Sequence, residues 1–134
     1  MTLLTQIALV AFGSACGGLL RWGVGLGMAR LLGTAWPYAT FTVNISGCLF
    51  LGWLTTFIMT RWEPASPGWI TPEQLRLLLA VGFTGAYTTF STFEAEALGL
   101  MRSGTGLVAI AYLAASVFAG LLAVHLGSLL AKAT

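Results

Sequence analysis

One stretch of this sequence mixes residue types that no lipid-facing helix requires: Gly82-Phe83-Thr84-Gly85-Ala86-Tyr87-Thr88-Thr89-Phe90-Ser91-Thr92-Phe93-Glu94-Ala95-Glu96. Glycines, hydroxyls, phenylalanines and two carboxylates interrupt an otherwise apolar run, which points to a polar species being handled there. Thr88, Thr89, Ser91 and Thr92 compete with the helical backbone for hydrogen bonds, so a helix break is expected near residues 85–89. At membrane depth, a break survives only where its freed backbone groups face protein or a water-filled cavity. Phe90 and Phe93 are three apart on one helical face, and ring edges carry partial positive charge that attracts an anion weakly without trapping it.

Other neutral donors add to that chemistry. Thr40, Asn44 and Gly47 share one face of a helix, and Tyr112, Ser116 and Gly120 follow at successive fours on another. Together with the hydroxyls of Ser91 and Thr92 and the backbone amides of a break, they form a set of donors, and donors suit an anion. Arg21 is a positive charge within an apolar run, placed to draw anions toward a vestibule. Plainer readings stand beside these. Asn44 alone is explained equally well by an interhelical hydrogen bond, the phenylalanines by core packing, and Arg21 by pairing with Glu94 or Glu96. The two glutamates complicate an anion path and must lie beside it, be neutralised or be protonated.

The elements that must position these groups are membrane helices. The chain has 134 residues, 57% hydrophobic and 7% charged, with a mean hydropathy of +0.90, which places it among integral membrane proteins. Four apolar segments are expected, at about 3–32, 37–60, 72–101 and 105–131, forming one all-α domain. The third segment is uncharged only from Leu77 to Phe93, which suits a span built of two half-helices. Gly13 with Gly17, and Gly23 with Gly27, are Gly-x-x-x-Gly pairs that permit close helix contact. Trp36 suits an interfacial belt, residues 61–74 form the one hydrophilic connection, and Thr71-Pro72-Glu73-Gln74 reads as a capped helix start. Cys16 and Cys48 lie in apolar segments and carry no chemistry, and His125 alone is a weak ligand candidate. The start of the sequence has no basic n-region, so the first apolar run reads as a retained span, not a signal peptide.

Four spans place both termini on one side, leaving Arg61, Arg76 and Lys132 there against Arg30 and Arg102 opposite. So slight a bias permits insertion in either direction, and an antiparallel homodimer would reproduce the inverted symmetry that larger transporters encode in one chain. The thin scatter of charge gives no nucleic-acid partner. Without a nucleophile-base pair, metal cluster or phosphate loop, an enzyme is not expected.

Gly17-Gly18-Leu19-Leu20-Arg21, Thr42-Val43-Asn44-Ile45-Ser46-Gly47, and Gly82 to Gly85 followed by Thr88-Thr89-Phe90-Ser91-Thr92-Phe93 together resemble the Fluc (CrcB) family of fluoride channels. The resemblance spans essentially the whole chain. It implies an antiparallel dual-topology homodimer in the cell's inner (plasma) membrane, with two pores that passively export fluoride. Asn44, Phe90 and Phe93 would line each pore, with its two phenylalanines contributed across the dimer. Ser91, Thr92, Tyr112 and Ser116 would be pore-side polar groups, Thr40 and Glu96 would belong to a polar track, and Arg21 would sit at the vestibule. A structural sodium ion at the dimer centre would be held by the backbone carbonyls of Gly85 and Thr88 from both chains, with no organic cofactor. Gly120 stands where a second serine would be acceptable, so the polar stripe is shorter here. A proton-coupled small multidrug exporter would need a carboxylate in the first helix, where this chain has Arg21 and no acid. A structural membrane subunit, with polar residues serving only to join helices, remains the other alternative.

Overall fold

The computed structural model describes residues 1–63 and 68–133. Helix α1 (Leu3–Leu32) starts behind Thr2, whose side chain accepts from Thr5 N, and stops at Gly33, where φ is 75°. Helix α2 (Tyr38–Phe57) begins after Pro37 and continues into a π-helical turn, Ile58–Trp62. Helix α3 starts at Pro72–Leu75 behind the expected capping box, in which Thr71 and Gln74 bond each other's backbone amides. It then widens into a π-helical run, Arg76–Thr84, and closes with the turn Gly85–Tyr87. Helix α4 (Phe90–Arg102) follows the break, and α5 (Gly106–Ala133) completes the order.

The described residues contain no strand. Helices α1, α2 with its π-helical turn, and α5 are each long and apolar enough to cross a membrane. Helices α3 and α4 are the two halves of a further helical segment, interrupted at residues 88 and 89. The break is narrower than residues 85–89: Gly85 is helical at φ −61° and ψ −35°, and only Thr88 and Thr89 leave the helix. The hydrophilic connection is shorter than expected, because Arg61 and Trp62 still belong to the helix end; its residues 64–67 lie outside the described ones.

Helices in lipid gain little by hiding apolar surface from one another, so close backbone approach selects the pairs. A Cβ on Gly13 would sit 2.1 Å from Leu78 O and one on Gly17 2.1 Å from Phe83 O, which seats α1 on α3. A Cβ on Gly52 would meet Val124 O at 2.1 Å and one on Gly127 would meet Leu49 O at 2.1 Å, which seats α2 on α5. Gly23 and Gly27, with the same spacing as Gly13 and Gly17, face open space within this chain. Trp36, expected in an interfacial belt, is half-buried against the core cluster, 5.3 Å from the Phe41 ring and 5.2 Å from Tyr112.

Candidate functional site

The break is built from two residues in ordinary extended conformation, Thr88 (φ −86°, ψ 163°) and Thr89 (φ −152°, ψ 119°). Their freed backbone groups are met by one side chain from α2. Asn44 Nδ2 donates to Thr89 O at 3.0 Å, and Thr89 N donates to Asn44 Oδ1 at 2.8 Å. This two-point bond pairs the break as a neighbouring strand would, so the interhelical bond is a real part of Asn44's role. The rest of its face is matched to the same place. A Cβ on Gly47 would lie 2.2 Å from Thr88 Cγ2, and Thr40 donates to Glu96 Oε1 at 2.8 Å.

Threonines complete the junction. Thr88 N and Thr88 Oγ1 both donate to Thr84 O at 3.0 Å, closing the end of α3. Thr89 Oγ1 accepts from Thr92 N at 3.3 Å and donates to Thr92 Oγ1 at 3.0 Å, capping α4. Arg21 Nη1 reaches Thr88 O at 3.4 Å. Pairing of Arg21 with a glutamate is not what the chain does: among the described residues, the one ion pair is Arg76 with Glu63.

Two cavities flank the break, with Thr89 in the wall of both. The first, about 290 Å³, is lined by Asn44, Cys48, Thr88, Phe90, Phe93 and Ser116 among others. Phe90 is 74% exposed and Phe93 only 6%, and their ring centroids are 6.1 Å apart. Ser116 Oγ is buried and has no hydrogen-bond partner. A hydroxyl that gives up water without a protein partner loses free energy unless something else in the cavity meets it. The second cavity, about 250 Å³, brings Arg21, Thr40 and Thr92 together.

The remaining residues separate by position. Tyr112 is fully buried beneath Phe93, with ring centroids 5.0 Å apart, and donates to Glu96 Oε2 at 2.9 Å; it does not line the first cavity. Glu96 therefore has a hydroxyl on each oxygen. Ser91 is exposed on the first turn of α4, and His125 is exposed on α5. Sequence reasoning gave Thr89 only to the break and gave Cys48 no chemistry, yet both line the first cavity. Thr89 had a readable signal, a threonine three residues before Thr92 at a helix start; Cys48 lies one turn beyond Asn44 on α2 and so shares its face.

The described residues contain no cluster of three or more His, Cys, Asp or Glu able to hold a metal. The backbone offers a different donor set. In an unbroken helix, Gly85 O would accept from Thr89 N and Thr88 O from Thr92 N. Here those amides turn to Asn44 Oδ1 and Thr89 Oγ1, so both carbonyls lose their helical donors, Thr88 O retaining the 3.4 Å contact from Arg21 Nη1. A hard cation suits such oxygens.

Comparison with known proteins agrees along nearly the whole chain. The family model described as "CrcB-like protein, Camphor Resistance (CrcB)" matches residues 8–128. A protein named fluoride-specific ion channel FluC from Chloroflexus aurantiacus is 45% identical over 124 residues, covering 92% of this chain and 93% of the relative. Proteins of the same name from Synechococcus sp. (44%, covering 92% and 89%) and Acidobacterium capsulatum (42%, covering 88% and 89%) are similar over the same extent.

Proposed function

The chain belongs to the CrcB family, and from that premise we propose that it is a fluoride channel of the plasma membrane that lets the anion leave the cytoplasm passively. The observation that carries this reading is the first cavity: two phenylalanine rings and the unpartnered Ser116 hydroxyl meet there beside the Asn44-bonded break. A small anion is bound by donors that replace part of its hydration, and it conducts only if no single donor holds it too well. One hydroxyl and two phenyl rings, whose edges attract an anion only weakly, suit that condition. Arg21, Thr40 and Thr92 in the second cavity provide the vestibule, where a positive charge raises the local anion concentration. Glu96 is compatible with this path because two hydroxyls hold its carboxylate to one side.

The functional unit in this proposal is an antiparallel homodimer with two pores. The near-balance of basic residues between the two sides supports it, as do the open faces of Gly23 and Gly27 and the exposed Phe90 ring. Across its two-fold axis, Gly85 and Thr88 of both chains would give four carbonyl oxygens for a sodium ion, and the diversion of their amide donors favours that role. The sodium neutralises oxygens that would otherwise face one another, and its part is structural.

Purified protein in liposomes loaded with fluoride tests the proposal. Fast fluoride efflux with no comparable chloride efflux is expected; equal release of both ions, or of neither, overturns it.

A further inference from the structure

Glu94 and Glu96 stand two residues apart on α4 in opposite surroundings. Glu96 has a hydroxyl on each oxygen. Glu94 is exposed, and no hydrogen bond or ion pair engages its side chain among the described residues, where Arg76 pairs with Glu63 and Arg21 is directed to Thr88 O. The next basic residue on the helix, Arg102, is eight positions on, about 12 Å along the axis. Glu94 therefore lies inside the apolar span, where a carboxylate faces protein or water and not lipid. The adjoining cavity, about 340 Å³, is walled by Ala97, Leu98, Met101 and Leu113, none of which has a side-chain donor to neutralise it. Phe90, 74% exposed, lies four residues earlier, one turn away on the same face.

We infer that Glu94 limits the throughput of the channel: its unpaired carboxylate is a fixed negative charge that an anion must approach on passing Phe90. The inference rests on the anion-channel reading above and adds the residue that sets the barrier. A unit charge about one helical turn away in a partly aqueous site changes the passage rate of an anion by about tenfold.

Initial fluoride efflux from liposomes at matched protein-to-lipid ratio tests it in the full chain. Glu94→Gln, which keeps the shape and removes the charge, is expected to run about tenfold faster than the parent. Glu94→Asp is expected to stay near the parent rate, and Glu94→Lys to be at least as fast as Glu94→Gln. A Glu94→Gln rate equal to or below the parent overturns the inference, and so does a Glu94→Asp rate matching Glu94→Gln, since charge would then not be the cause. Absence of fluoride efflux from the parent protein overturns the channel reading itself, and this inference with it.

Discussion

Two kinds of junction hold this chain together, and they solve opposite problems. At the glycine seams, α1 meets α3 through Gly13 and Gly17, and α2 meets α5 through Gly52 and Gly127, with backbone against backbone and no room for a methyl group. At the break, α2 meets Thr88 and Thr89 through the Asn44 amide, and cavities open on both sides. The seams gain dispersion contacts by excluding everything, and the break gives up helical bonds to expose donors. Helix α2 serves both: Gly47 and Asn44 press on the break while Gly52 presses on α5. The rigid seams fix where that amide stands.

The comparison breaks most sharply at a seam. Gly127→Val places carbon against Leu49 O, where a Cβ would already be 2.1 Å away, and is expected to cost about 4 kcal/mol or more. Little folded protein should be recovered on size exclusion in detergent, and normal recovery would show that the seam yields. Asn44→Ala comes next. Removing both bonds to Thr89 strands a part-buried amide and carbonyl, at about 1–3 kcal/mol. Thermal unfolding should register that loss and fluoride efflux should fall with it; unchanged stability would mean water repairs the break.

Ser116→Ala sharpens the contrast from the other direction. Its hydroxyl bonds nothing among the described residues, so stability should hold within about 0.5 kcal/mol while efflux drops severalfold. A loss of stability without a change in efflux would make Ser116 part of a seam. The smallest effect belongs to Thr71→Ala, which removes the cap of α3 far from both cavities at about 1 kcal/mol, with efflux unchanged at a temperature where the protein stays folded.

Much of this was legible in the residues. The capping box at Thr71, the first span at Leu3–Leu32 and a break within the third segment follow from local rules: side chains that bond nearby backbone, apolar length, and hydroxyls that compete with helical bonding. Where local rules stopped, so did the reading. Gly23 and Gly27 have the spacing of Gly13 and Gly17, yet only the latter pair meets a helix within the chain, because spacing states that contact is permitted and not what lies opposite. Nor did the residues around Trp36 state which rings it would meet: Phe41 and Tyr112 lie 5.3 Å and 5.2 Å from it.

The sequence by itself determined that this is an all-helical membrane protein with its polar chemistry gathered around one interrupted helix, since apolar length and the competition for backbone bonds are properties of a few consecutive residues. Only the tertiary structure decided how that chemistry is divided. Asn44 is the partner of the break, Ser116 carries a buried hydroxyl beside the first cavity, Glu96 is held by Thr40 and Tyr112, and Glu94 has no such partner among the described residues. Those distinctions depend on which side chains arrive from other helices, and in lipid the arrival is set by where two backbones can touch.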